Sequence, residues 1–594
     1  MTATPLPRPL RLTGVVFAVL LGTALMLTIF SVGWVGIRGA IAADHLRSAQ
    51  GSASAVVANI ADPAAVADAI ADVADDAATA RALTSDPVWR LAETTPWIGP
   101  QLAAVSTVAA AADDVAANAL TPLAEVASTL SPESFRPTGG RVDLTGFIAM
   151  QGAAATAADT MESASDSIGT INTEALVGPL RDVIEEVTAV FSTAKSGTEA
   201  LAKASELLPA MLGAEGPRNN LVLFQNNAEW RSLGGINGAM VLISTEGGAM
   251  QLATTDAGSN FAQSDTSVLP LSDEVTTIYG QRPGKWMQNV TQVPDFAVSA
   301  ALAREMWAVK HGVQVDSVIA TDPVALSYIL RATGPVVLPS GDTLTADNAV
   351  SLLLNEVYLR YEKTADQDLF FANATSAVFT ALTSGAADPA KLLEALALAG
   401  NERRLLLWSA HPEEQELLAE TTLAGALPVT DSTTTSFGVY LNDGTGSKMD
   451  YYQTVDTSVA WQSCAVDAAG TVQGVADLGV TITSDAPADA ANLPDYVTAA
   501  GWYGVPAGSI RTVGYIYVPE GFELIDSALS NGGGFGGGVH EGRRVLTFDV
   551  VLAPGESVTA TVSAASTSPT GASLVAQVTP TVNANVTAPI SACL

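Results

Sequence analysis

The sequence predicts a multidomain chain with one N-terminal transmembrane helix, an Ala-rich helical stalk, an α/β domain with a mixed sheet, and a C-terminal all-β sandwich. Three observations predict it. An uncharged apolar run occupies residues 14–37. Helical periodicity in Ala-rich sequence then extends to about residue 213. Strands alternating with helices follow, and near Leu427 they give way to short β-rich segments. At 594 residues the chain exceeds what a single core organises. Its 48% hydrophobic and 15% charged residues mark a folding sequence. With 27 Lys+Arg against 61 Asp+Glu the net charge is −34, a surface that repels phosphate backbones and argues against nucleic-acid partners.

Residues 1–11 read as a cytoplasmic tail, because Arg8 and Arg11 stand there without an acid. Residues 12–38 read as the anchor: at about 1.5 Å per residue such a helix crosses a hydrocarbon core of about 30 Å. Trp34 would sit at the far interface. A cleaved signal peptide is the rival reading, with Ala-Ile-Ala-Ala at 40–43 as its cleavage site, but the apolar run is longer than a signal core. The anchor implies a single-pass cell-membrane protein, its N-terminus cytoplasmic and its bulk extracytoplasmic. Outside the cytoplasm, Cys464 and Cys593, the two cysteines of the chain, could pair. No CxxC or HExxH occurs, which argues against structural zinc.

Residues 39–215 form the expected stalk or bundle. Apolar residues recur three and four apart between acids at 63–83 and 101–118, and prolines at 87, 96, 100, 122 and 132 mark breaks. Residues 216–426 form the expected α/β domain. Its strands are predicted at 220–225, 239–244, 315–321 and 334–338, its helices at 295–310, 323–333, 346–360, 366–382 and 389–399. Residues 427–594 form the expected sandwich of immunoglobulin-like kind, with strands near 434–441, 451–461, 479–483, 512–518, 544–552 and 557–564. The glycine cluster at 532–538 lacks the GKS/T ending of a phosphate loop and reads as a hairpin loop.

The densest polar cluster runs Gln225-Asn226-Asn227-Ala228-Glu229-Trp230-Arg231-Ser232 and ends in Gly234-Gly235. It leaves a predicted buried strand, where α/β sheets expose ligand groups. Asn226, Asn227, Glu229 and Arg231 together suit a phosphate or a sugar, since Arg offers a planar fork and amides donate and accept. The alternative is a turn carrying an internal ion pair. Asp295, before a helix, is either a cap or a metal ligand or base facing that cluster. Asp322 before Pro323 reads as a cap, and Arg360 among aromatics suits a polyanion or packs at the surface.

The stretches 225–242, 289–307 and 315–338 resemble a bacterial family of single-pass membrane proteins without assigned function. Asp86–Arg90, Pro96–Gly99, Arg403–His411 and Lys448-Met449-Asp450 extend that resemblance. More distantly, the middle domain resembles the LytR-CpsA-Psr family, which moves lipid-linked glycopolymers onto peptidoglycan. That resemblance implies a polyprenyl pyrophosphate held by arginines and magnesium held by acidic residues. It places Arg231 after the first strand, Asp295 in the second stretch, and Arg360 at the start of the late arginine cluster. Where that family has Asp after the first strand, this chain has Asn226 and Asn227, and its late region runs Glu362, Lys363, Asp366, Asp368.

Two functions follow as expectations. In one, a cell-envelope protein binds and transfers a cell-wall glycopolymer or its lipid-linked precursor. Glu229, Arg231 and Asp295 are then the reacting groups, and Asn226, Asn227 and Arg360 hold the ligand. In the other, a non-enzymatic envelope scaffold keeps a degenerate α/β domain and docks protein partners on its β-sandwich.

Overall fold

The computed structural model describes residues 8–58, 63–129, 136–466, 468, 472–568, 571 and 573–583. The chain divides into two compact units, Met1–Ser134 with Leu144–Pro209, and Phe135–Asp143 with Ala210–Leu594.

The first unit is helical: α1 (Arg8–Ala58), α2 (Pro63–Thr84), α3 (Pro87–Glu93), α4 (Gly99–Val115), α5 (Thr121–Thr129), α6 (Thr145–Gly169) and α7 (Gly178–Met211). Alanines form its seams. Ala42, Ala80 and Ala109 meet with no exposed surface, as do Ala77 and Ala116 beside them. A methyl side chain loses no rotamer entropy on burial and lets helix axes approach closely. Asp86 starts α3, accepting from the amides of Val88 at 2.8 Å and Trp89 at 3.1 Å.

This unit corrects the membrane reading. Among the described residues no helix is long and apolar enough to cross a membrane. The anchor predicted at 12–38, the transmembrane part of the fold class, and the single-pass cell-membrane localisation built on it are therefore not supported. Residues 12–38 belong instead to the 51-residue helix α1, which continues without a break through Asp44, His45 and Arg47. Arg38, placed by sequence at the membrane flank, bonds the Leu83 carbonyl at 2.8 Å and pairs with Asp86 at 3.1 Å. The side chains of most residues in 8–29 lie outside the described set.

The second unit joins an α/β layer to a β-sandwich. The layer's sheet contains β1 (Arg218–Asn226), β2 (Ile236–Glu246), β3 (Ala249–Ala257), β4 (Ser317–Thr321) and, beyond the hairpin of β5 (Val336–Val337) and β6 (Thr343–Leu344), β7 (Leu405–Ser409). Its order is β3-β2-β1-β4-β7. Only β1 and β4 are parallel, so the sheet is mixed, as expected. The central strand β1 buries Leu221 and Leu223 against Phe296, Trp307 and Val318, and each such leucine contributes roughly 2 kcal/mol. Helix Phe296–His311 packs on this face, capped by Asp295 and ended by left-handed Gly312.

The sandwich is built from β8 (Thr434–Asp443), β9 (Gln453–Val466), β10 (Val472–Ser484), β11 (Ile510–Tyr517), β12 (Phe522–Leu529), β13 (Gly536–His540), β14 (Arg543–Leu552), β15 (Ser557–Ser566) and β16 (Ser573–Val578). One sheet runs β12-β15-β10-β9 and the other β13-β14-β11-β8-β16. Alternation along β10 sends Ala476, Leu478, Val480 and Ile482 into the core shared by the two sheets. Part of the glycine cluster read as a loop is strand β13. Cys464 lies on β9, and Cys593 lies outside the described residues.

Candidate functional site

The polar cluster after β1 is buried between the α/β layer and the sandwich. A register shift between Phe224 and Gln225 ends the regular β1–β2 pairing there. The chain then makes a loop, residues 227–235, that inserts into the sandwich. Trp230, with no exposed surface, packs in the sandwich core with Phe437, Val439 and Leu441. The loop's backbone bonds across the joint. The Trp230 amide donates to Asp450 Oδ2 at 2.6 Å, and its carbonyl accepts from the Asp443 amide at 2.9 Å. The Ser232 amide donates to Asn442 Oδ1 at 3.0 Å, and its carbonyl accepts from Thr579 Oγ1 at 2.9 Å. Gly235 turns the chain back into β2; a Cβ there would lie 2.3 Å from the Asn226 carbonyl, so only glycine fits.

The charged side chains of this loop point inward. Arg231 is 6% exposed and Glu229 7%. Arg231 donates to Glu229 Oε1 at 3.1 Å, to Asn289 Oδ1 at 3.0 and 3.1 Å, and to the Trp230 carbonyl at 2.7 Å. Glu229 Oε2 accepts from Lys448 Nζ, whose ammonium also lies over the rings of Tyr358 at 5.8 Å and Tyr496 at 5.6 Å. Burial pushes the Glu229 carboxyl up, but Lys448 and Arg231 outweigh it and hold the group below its ordinary value. The same pairing holds the Lys448 ammonium above its ordinary value against the opposing effect of burial.

Two further carboxyls complete the joint. Asp443 accepts from the Thr445 amide at 2.8 Å and the Gly446 amide at 2.6 Å. Burial, with the Glu229 charge behind it, pushes Asp443 up to about 6. Asp450 has no exposed surface, and its Oδ1 has no hydrogen-bond partner. Burial and the neighbouring Asp443 push its carboxyl well above the ordinary range, while Oδ2 accepts from the Trp230 amide.

The remaining sequence-predicted residues divide between the joint and other parts of the layer. Asn226 donates to the Tyr358 hydroxyl and accepts from the Ala228 amide at 3.0 Å. Asn227 donates to Asp322 Oδ2 and to the Pro580 carbonyl, both at 3.0 Å. Asp322 is a cap, accepting from the Ala325 amide at 2.8 Å, and also pairs with Arg404 at 2.8 Å. Arg404 in turn donates to the Thr581 carbonyl at 2.8 Å. Asp295 is likewise a cap, bonding the Ala297 amide at 2.9 Å. Burial raises its carboxyl, and the charges acting on it are His540 and Glu541 rather than those of the loop. Arg360 is exposed and pairs with Asp342 at 2.7 Å. The structure thus brings Asn226, Asn227, Glu229 and Arg231 together and leaves Asp295 and Arg360 outside.

The donor set does not fit magnesium. Both oxygens of Glu229 face cations and both of Asp443 face amides, which leaves Asp450 Oδ1 as the unpartnered carboxyl oxygen of the three, whereas magnesium needs several free oxygens in octahedral array. Among the described residues no group of three or more His, Cys, Asp or Glu could hold a metal ion. Sequence reasoning singled out Lys448, Asp450 and Arg404 only as marks of resemblance and passed over Asp443. The run Lys448-Met449-Asp450, two charges within three residues of a β-rich segment, was the available signal, although Lys448 pairs with Glu229 and not with Asp450.

Residues 215–358 match the model of a family described as "Protein of unknown function (DUF4012)". That match covers β1, the inserted loop, the helix after Asp295 and the segment to Tyr358. No curated protein matches the chain.

Proposed function

We propose that this chain is a non-enzymatic scaffold protein, with an α/β layer that resembles the LytR-CpsA-Psr transferases in fold while its polar cluster serves as a joint to the β-sandwich. One observation carries the reading: the cluster's charges are spent on one another. Glu229 is taken up by Arg231 and Lys448, and Arg231 by Glu229, Asn289 and its neighbour's carbonyl. A pyrophosphate site needs arginines whose forks are open to the ligand. The one sequence-predicted arginine at the surface, Arg360, already has Asp342.

Thermal unfolding with polyprenyl pyrophosphate, with and without magnesium, tests this. A ligand bound only by the folded state raises the melting temperature, by about 2.7 kcal/mol of stability at a hundredfold excess over Kd. The expected result is no shift. A shift that disappears in Arg231→Ala, or in Arg360→Ala, whose exposed position leaves folding intact, would restore the glycopolymer-binding reading.

A further inference from the structure

Four histidines occur in the chain, and three of them pair with an aspartate: His45 with Asp76 at 2.6 Å, His311 with Asp256 at 2.9 Å and His411 with Asp316 at 3.2 Å. His540 meets tyrosines instead. Its Nδ1 lies 2.8 Å from the Tyr517 hydroxyl, which in turn lies 2.8 Å from the Tyr279 hydroxyl. The three residues come from different elements. Tyr279 ends the helix Asp273–Tyr279 of the α/β layer, Tyr517 ends β11 and His540 ends β13. All three are buried, His540 at 2% exposure. Two further rings close around them, Tyr440 at 5.3 Å from Tyr517 and Tyr515 at 4.6 Å from Tyr279.

This chain of hydroxyls fastens an edge of the sandwich to the layer. β13 stands at the end of its sheet, and beyond its ladder with β14 the buried residue that holds it is His540. Glycine brings the strand close to the helix: a Cβ on Gly538 would lie 3.2 Å from the Ile278 side chain. Just past the strand, Glu541 takes a left-handed φ of 50°, and its amide donates to Glu274 Oε2 at 2.9 Å. A neutral imidazole closes the hydroxyl chain in either sense, by accepting at Nδ1 or by donating from it. An imidazolium only donates, and it brings a charge into the cluster. Among the described residues, the charged groups acting on His540 are Glu541 beside it, Asp295, Glu274 on the helix and Arg543 on β14, none of them through a hydrogen bond. Burial outweighs the three carboxylates and, with Arg543, holds the imidazole below its ordinary value.

We propose that Tyr279, Tyr517 and His540 form an acid-released latch, in which proton uptake by His540 frees β13 from the helix Asp273–Tyr279 and uncovers the tyrosine face between them. A buried imidazolium without a hydrogen-bonded carboxylate is relieved when the contact opens and water reaches the ring. By linkage, the closed latch binds the proton less readily than the open one. Closure is therefore fully favoured above about pH 6.5 and weakens as pH falls through the lowered folded-state value. Opening is local, because the loop that carries Trp230 into the sandwich core attaches the two layers separately. The latch goes beyond the scaffold reading and stands whether or not the polar cluster binds a ligand.

The test is hydrogen exchange of the full chain, read by mass spectrometry at about pH 5.5 and about pH 7.5 and corrected for the intrinsic pH dependence of exchange. The expected result is lower protection at the acid pH in peptides covering the helix Asp273–Tyr279 and β13, with unchanged protection in β10. The fall is at most about tenfold, the factor by which an exposed imidazole of ordinary pKa favours opening between the two pH values. His540→Gln keeps an acceptor for Tyr517 without a titrating group, and should lose the pH dependence. Tyr279→Phe keeps the ring and removes one hydroxyl, and should lower protection already at the higher pH while retaining the dependence. Unchanged protection of the parent at the two pH values would overturn the latch, as would an equal fall in His540→Gln or a fall shared by β10. Tyr279→Phe matching the parent at both pH values would overturn it as well, since the hydroxyl chain would then fasten nothing.

Discussion

Glu229 sits between two cations, all three side chains buried, and that fixes what its removal should do. In Glu229→Gln the Arg231 and Lys448 charges stay buried without their counter-charge, a change that typically costs about 3–5 kcal/mol. Denaturant titration should show that loss; a change under about 1 kcal/mol would mean the triad is solvated and open to ligands. Asp443 makes the opposite prediction with pH. Its folded-state pKa is raised from 3.8 to about 6, so between those values the folded protein binds more protons than the unfolded one. Its contribution is fully present below about pH 4 and is lost as pH rises through about 6, on the order of 3 kcal/mol in all. Asp450 acts in the same direction, and Glu229, held low, in the other. Asp443→Asn should therefore flatten the fall in unfolding free energy between pH 4.5 and 7.5, whatever it does to absolute stability. An unchanged slope would assign the fall to other groups.

At the scale of elements, the loop 227–235 depends on a turn that admits no side chain. Gly235→Ala would drive a Cβ into the Asn226 carbonyl and the Asn227 amide, at 2.3 and 2.7 Å. The clash is with backbone, which cannot swing aside, so the variant should lose about 3 kcal/mol or fail to fold, read by circular dichroism and yield of folded protein. This element also shows where sequence reading stops. β1, β2 and helix Pro323–Thr333 were legible because their apolar residues follow strand or helix periods between turn formers. The loop was legible as a dense polar cluster, but a polar run that leaves a strand for a ligand looks the same as one that leaves it for another layer. Trp230 was the difference, because an indole in the middle of such a run needs a core to enter. Strand β3 escaped notice because its exposed Thr and Gln alternate with side chains only half buried. The anchor at 12–38 was read from the uncharged apolar run, the basic tail before it and Trp34 near its end, and the helix containing it extends into the alanine-seamed bundle.

At the scale of the molecule, the inserted loop makes the α/β layer and the sandwich one thermodynamic object. Trp230 from the layer fills the sandwich core, while Thr579 and the carbonyls of Pro580 and Thr581, at the end of the sandwich, bond Ser232, Asn227 and Arg404 of the layer. Cutting the chain near residue 426 would leave each piece with a hole or with uncompensated charge: the sandwich loses its indole and keeps Asp443, Lys448 and Asp450, and the layer keeps Glu229 and Arg231. A fragment spanning 210–594 should therefore unfold in one transition, and its denaturant m-value should match the surface of the whole unit. Fragments 210–426 and 427–594 should each lack a cooperative transition. Trp230→Ala in the long fragment should lower stability by about 3–5 kcal/mol without splitting that transition, since both layers lose the same anchor. If fluorescence and far-ultraviolet dichroism instead report separate midpoints for 210–594, the layers fold independently, and the buried charges at their interface would have to be explained by a ligand or a partner rather than by the joint.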